Sequence, residues 1–228
     1  MPSQLTTAER SREPRRLLAA ARLCVLVDGG EDARHFENLV AGLVSAGVPL
    51  LQIRDKHLSD RLLLERVGQA LAAVARQPTP RTLVVVNDRV DVAAAAGADG
   101  VHLGESDLPV TAARGILGSN RLIGRTAHDL AEADTATAAG ADYLGVGPCF
   151  PSTTKAFAAQ ADRRFLAAAA RLPLPVFAIG GIVPQRLPDL AALGIDRIAV
   201  AAAITKAADP EAAARAMIGA IGTVQRRA

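Results

Sequence analysis

The sequence predicts a single-domain α/β fold, a (β/α)8 TIM barrel, on three observations. Eight short apolar runs rich in Val, Leu and Ile recur along the chain, with Ala-rich helical stretches between them. The runs are continuous rather than alternating, as in parallel strands covered on both faces. The 228 residues fit one barrel of about 200 to 250 residues and little else.

The strands are expected at 23–27, 48–53, 83–86, 100–103, 121–123, 143–146, 176–179 and 197–200. Helical patterns fall at 60–75, 109–117, 130–139, 184–193 and 210–221. Strand–helix alternation implies parallel strands with helical crossovers. Ser59 and Asp60, Asp107 with Pro109, and Asp129 read as helix starts. Gly47, Gly97, Gly140 and Gly194 read as helix stops, in the related stretches Ser-Ala-Gly-Val, Ala-Ala-Gly-Ala-Asp (twice) and Ala-Leu-Gly-Ile-Asp. Eight units favour a closed barrel, and no GxGxxG follows the first strand, which weakens a dinucleotide-binding reading. Residues 1–21 are expected as a frayed or helical extension and residues 22–228 as the barrel.

The net charge of +3 is local: residues 1–22 hold five arginines against two glutamates. The rest sums to about zero, and aromatics make up 3% of the chain, so nucleic acid is not an expected partner. No apolar stretch reaches the roughly 18 residues of a membrane span, and no basic-then-apolar leader opens the chain. Cys24 and Cys149 have neither a CxxC partner nor metal-ligand spacing, as expected of reduced thiols in a cytoplasmic protein.

In such a barrel the polar residues at the C-terminal ends of the strands carry function. After the second strand, Gln52, Arg54 and Lys56 share one face by alternation, and two cations there make an anion site; a solvated charge cluster is the plainer alternative. Asp88 follows the third strand and Asp107 the fourth. Magnesium is usually held by one or two carboxylates plus phosphates and water. The plainer roles are a pair with Arg89 for Asp88 and a helix N-cap for Asp107. Thr126 and His128 follow the fifth strand, where Thr126 can donate to a substrate oxygen. The loop after the sixth runs from Gly147 through Pro148, Cys149, Phe150, Pro151, Ser152, Thr153 and Thr154 to Lys155, a composition suited to phosphate oxygens. Gly180-Gly181 after the seventh, with Ala201-Ala202 after the eighth, suits a backbone phosphate cradle. The mouth thus offers a cationic, carboxylate-lined site and a neutral one, as two phosphorylated small-molecule ligands would require.

Six motifs, in order, resemble the thiamine phosphate synthase family. They are Gln52-Ile53-Arg54-Asp55-Lys56, Val86-Asn87-Asp88-Arg89, Gly100-Val101-His102-Leu103-Gly104, Ile123-Gly124-Arg125-Thr126-Ala127-His128, Gly145-Val146-Gly147-Pro148 with Thr154-Lys155, and Ile179-Gly180-Gly181-Ile182. The resemblance runs from about residue 22 to the C-terminus. It implies a transferase of thiamine biosynthesis that joins hydroxymethylpyrimidine diphosphate to hydroxyethylthiazole phosphate. It places Mg2+ on Asp88 and Asp107, diphosphate on Arg54, Lys56, Asn87 and Lys155, and the pyrimidine at Gln52. Arg54, Lys56, Thr126 and Lys155 would act on the reacting groups. Thr126 and Ser152 stand where the family commonly has serine and threonine, with Thr154 completing the sixth loop, which is expected to close over the site. Gly181 and the backbone of Ala201 and Ala202 would hold the thiazole phosphate. Ala202 replaces a common serine, which implies a weaker hold on that phosphate.

Three alternatives remain open at this point. A thiazole tautomerase could use His128 for proton transfer, a Schiff-base aldolase could use Lys56 or Lys155, and a non-catalytic barrel could bind thiamine phosphates. Apolar helix faces leave a homo-oligomer open as well.

Overall fold

Glycine-terminated helices and both-faces-apolar strands close into one parallel barrel. The computed structural model describes residues 7–30, 32–77, 81–151 and 160–226. Helix α1 (Thr7–Ala20) comes first, followed by β1 (Leu23–Val27), α2 (Ala33–Ser45), β2 (Leu50–Ile53), α3 (Asp60–Ala75), β3 (Leu83–Asn87), α4 (Val90–Ala96) and β4 (Gly100–Leu103). Then come α5 (Val110–Leu117), β5 (Leu122–Ala127), α6 (Leu130–Ala138), β6 (Tyr143–Val146), α7 (Arg163–Ala169), β7 (Val176–Ile179), a 3-10 turn (Pro184–Arg186) and α8 (Leu187–Ala191). Strand β8 (Ile198–Val200), α9 (Ala202–Thr205) and α10 (Pro210–Gln225) complete the chain. The eight strands pair in parallel in sequence order, and β8 returns to β1 to close the barrel.

The expected helix stops hold. Gly47, Gly97, Gly140 and Gly194 take φ of 82°, 69°, 86° and 81°, a left-handed backbone that ends each helix at low steric cost. The aspartates that follow two of them have a shared task. Asp99 accepts the backbone N–H of Val84 at 2.9 Å, and Asp142 accepts that of Ile123 at 2.8 Å. Each ties the start of one strand to the start of the preceding one.

Several boundaries differ from expectation. β2 begins at Leu50, because the N–H of Val48 still bonds Leu43 O in the helix-ending turn. β5 runs on to Ala127 and takes Arg125 and Thr126 into the strand rather than the loop. The segment expected as one helix at 184–193 divides. Pro188 has no N–H to give Pro184 O, so Leu187 N closes a tighter turn there and a regular helix starts only afterwards. Asp107 is not the N-cap of α5; Pro109 holds that position.

Alternation along the strands sorts the core into two layers. One layer lies between barrel and helices and includes Leu51, Ile53, Val84, Val86, Ile123 and Leu144. The other fills the barrel interior with Cys24, Leu50, Leu83, Val85, Leu122, Tyr143 and Phe177. Helix α1 belongs to this second layer. Its Leu18 is 1% exposed and packs in the interior cluster, and Arg15 meets Asp142 at 2.7 Å. It closes the N-terminal end of the barrel, so the opposite end is the open one.

Candidate active site

The inward positions of β2 to β5 converge at the open end. Gln52 is 4% exposed and donates through Nε2 to Asn87 Oδ1 at 2.6 Å. Backbone pairing sets neighbouring inward residues side by side, Asn87 with His102 and His102 with Gly124. Arg54 leaves the end of β2, its backbone N–H bonded to Val27 O at 2.9 Å. Between Arg54 and Lys56, Asp55 turns the other way. Its carboxylate accepts the N–H groups of His57 at 2.8 Å, Leu58 at 2.9 Å and Gly30 at 3.0 Å, so it ties the loops after β1 and β2 together. Burial pulls its pKa upward, but these three donors outweigh it and leave it lowered. Arg66, 3% exposed, braces the same corner by donating to Gly29 O at 3.0 Å.

Asp88 sits directly after β3 with φ at 62°, the one non-glycine residue with positive φ among those described. A left-handed aspartate is tolerable but strained, and such strain gathers at functional positions. It aims the carboxylate at Asp107. Burial, and then the neighbouring Asp107 carboxylate, push the Asp88 pKa up to about 6. Lys56 Nζ lies 4.0 Å from Asp88 Oδ2, and it and Arg54 pull the other way. Asp88 does not pair with Arg89, whose guanidinium is taken by Asp60 and Asp91. Asp107 Oδ2 accepts Gly104 N at 2.6 Å, which folds the β4 loop back over the mouth. Arg125, on the outward side of β5, holds the same loop through Glu105 O at 3.1 Å and Leu108 O at 3.3 Å.

Asp88 and Asp107 are the residues here that could hold a metal. Two carboxylates forced together, one of them with a raised pKa, form a donor set that a hard divalent cation would relieve. Among the described residues no group of three or more His, Cys, Asp and Glu converges. A two-carboxylate site of this kind leaves the remaining coordination to phosphate and water.

Sequence reasoning quoted His102 within its motif but gave neither it nor Tyr143 a role. The His102 ring lies between Tyr143 and Thr126, with Nε2 3.0 Å from Thr126 Oγ1 and Nδ1 3.2 Å from the Tyr143 hydroxyl. Alternation carried the signal: His102 and Thr126 are inward positions on adjacent strands. His128, by contrast, is exposed just past the end of β5. Its Nδ1 is 3.0 Å from Gly147 O, which can only accept, so that nitrogen donates.

On the far side of the mouth, Gly180 and Gly181 adopt φ of 102° and 60°. A Cβ on Gly181 would lie 2.2 Å from Pro151 O, so the turn after β7 packs directly under the turn after β6. Arg186, also missed, locks the two turns by donating to the carbonyls of Gly181 and Pro151, with its guanidinium 4.8 Å from the centre of the Phe150 ring. Ala201 precedes α9, and no side chain caps that first turn at Ala202. Ser152, Thr154 and Lys155 lie outside the described residues.

Comparison with known proteins bears directly on this arrangement. The family model described as thiamine monophosphate synthase matches residues 23–204, from the start of β1 into α9. A thiamine-phosphate synthase from Synechococcus sp. (strain WH7803) is 42% identical over 204 residues, covering 88% of this chain and 57% of that protein. The chain therefore spans a little over half the length of that relative. A thiamine-phosphate synthase from Mycolicibacterium gilvum (strain PYR-GCK) is 41% identical, covering 89% of this chain and 88% of the relative. The solved thiamine phosphate pyrophosphorylase from Pyrococcus furiosus superposes with a TM-score of 0.77 at 31% identity, covering 92% of this chain and 98% of that one. By the match over 23–204 and by these identities, the chain belongs to the thiamine monophosphate synthase family.

Proposed function

We propose that this chain is a cytoplasmic, magnesium-dependent transferase that makes thiamine phosphate. Its substrates would be 4-amino-2-methyl-5-hydroxymethylpyrimidine diphosphate and 4-methyl-5-(2-hydroxyethyl)thiazole phosphate. The observation that carries this reading is the convergence of Arg54, Lys56, Asp88 and Asp107 at the open end of a barrel whose other end is closed. Such a set of cations and carboxylates would suit a metal-bound diphosphate.

In this reading Asp88 and Asp107 hold the cation, which when bound supplies charge to neutralise the leaving diphosphate. Arg54 grips diphosphate oxygens with a planar fork, and Lys56 adds a point charge. Lys155 would be a further cation. Gln52 and Asn87, already bonded to each other, present their remaining polar atoms to the pyrimidine and the diphosphate. The bond between the pyrimidine methylene carbon and the diphosphate oxygen breaks, and the electron pair leaves with the oxygen. The aminopyrimidine spreads the resulting positive charge. The thiazole nitrogen then donates its lone pair to the methylene carbon. Gly181 and the backbone at Ala201 and Ala202 would position the thiazole phosphate for that attack. No enzyme nucleophile takes part, so the protein acts by orientation and charge.

The test is product formation. The protein with both substrates and magnesium should yield thiamine phosphate, read as fluorescent thiochrome after oxidation, and omission of either substrate should abolish the signal. A folded protein that forms no product under these conditions contradicts the reading.

A further inference from the structure

We infer that Tyr143 and His102 act as positioning residues that set the direction of the Thr126 hydroxyl, so that Thr126 offers its proton to the substrate. The argument begins at the buried end. Tyr143 is 2% exposed, and among the described residues its hydroxyl is hydrogen-bonded to His102 Nδ1 at 3.2 Å. A buried hydroxyl left without an acceptor is unfavourable, so the phenol donates its proton to Nδ1 in a hydrogen bond. Nδ1 then accepts, and in a neutral imidazole the proton must sit on Nε2. Nε2–H faces Thr126 Oγ1 at 3.0 Å and donates to it. With that lone pair occupied, the Thr126 hydrogen turns away from the ring toward the barrel mouth.

A charged ring would donate from both nitrogens and orphan the phenol proton.

Packing shows that the trio has a built space. A Cβ on Gly124 would lie 2.1 Å from Tyr143 Cζ, and one on Gly145 would lie 3.1 Å from His102 Cε1. These two inward positions carry no side chain, and the rings occupy the room so left. Tyr143 also meets Phe177 edge-on, with ring centres 5.7 Å apart. The rings are therefore held, and the proton order with them. The substrate atom opposite Thr126 is then a hydrogen-bond acceptor, such as an oxygen of the leaving diphosphate or a ring nitrogen of the pyrimidine.

This inference rests on the proposed function for its substrate but not for its proton order, and the two are tested separately. In ligand-free full-length protein labelled with 15N-histidine, nitrogen–proton correlation spectra read which ring nitrogen of His102 carries the proton. A neutral ring protonated at Nε2 near pH 7, with its signals displaced in Tyr143→Phe, is expected. A proton on Nδ1, or on both nitrogens, overturns the inference whatever the protein catalyses. In the thiochrome assay, Tyr143→Phe should lower kcat about tenfold, the loss of roughly 1.4 kcal/mol of transition-state stabilisation, with KM little changed. In a Thr126→Ala background the same substitution should lower kcat no further, because the relay acts through that hydroxyl. Equal falls in both backgrounds would show that Tyr143 matters only for packing. The expected proton order in a protein that makes no thiamine phosphate would count against the proposed function alone.

Discussion

Asp88 holds two unfavourable features at one residue: a left-handed backbone and a carboxylate pressed against Asp107. Its folded pKa lies above the ordinary carboxylate value. The folded state therefore binds the proton more tightly than the unfolded chain, and this contribution to stability is complete below about pH 4. It is lost as pH rises through about 6. At neutral pH without a divalent cation, Asp88→Asn should remove the repulsion and suit the left-handed backbone. We expect it to raise Tm by a few degrees near pH 7 while abolishing turnover, as strained active-site residues tend to do. An unchanged or lower Tm at pH 7 would count against the repulsion. At Gly124 the constraint is space, with the Tyr143 ring where a Cβ would stand. Gly124→Ala should destabilise the fold by about 2 kcal/mol, readable in urea unfolding. Asp88 and Asp107 were legible because their residue types and positions after strands carry chemistry. His102 was not, because its role depends on which nitrogen meets which hydroxyl across two strands, and a linear pattern does not hold that.

Helix α1 shows how an element can look peripheral in sequence and be structural in the fold. Expected as a frayed or helical extension, it is a helix from Thr7 to Ala20 whose Leu18 reaches the barrel interior. Periodicity gave no warning, since a helix that plugs a barrel end buries only one or two side chains. Leu18→Ala should cost about 3 kcal/mol, the usual range for emptying a buried leucine site, and circular dichroism melting would show it. A negligible shift would mean that α1 does not close the barrel. The strands were legible from their apolar runs, and the helix ends from four glycines and from Ser59 and Asp129. β5 came out too short because Gly124, Arg125 and Thr126 break the apolar run, although Thr126 continues the inward alternation. The helix at 184–193 came out too long because Pro188 falls where a helical N–H is required.

For the molecule as a whole, the closed barrel segregates tasks by end. α1 and the strand-tying aspartates stabilise the N-terminal end. The C-terminal end gathers the charges that are unfavourable without a ligand. Strand alternation and the count of eight runs made that division readable in advance, because a barrel leaves one choice for each inward residue. The two proposed anion sites follow from it, one on Arg54, Lys56, Asp88 and Asp107, the other on the glycine turn that Arg186 locks. The most direct test of this account is steady-state turnover to thiamine phosphate as a function of magnesium, for the parent protein beside Asp88→Ala and Asp107→Ala. The account predicts magnesium-dependent product in the parent and a fall in kcat of at least about 100-fold in each variant, the scale at which loss of a charge-stabilising group is felt. Equal turnover in all three, or turnover indifferent to magnesium, would contradict it.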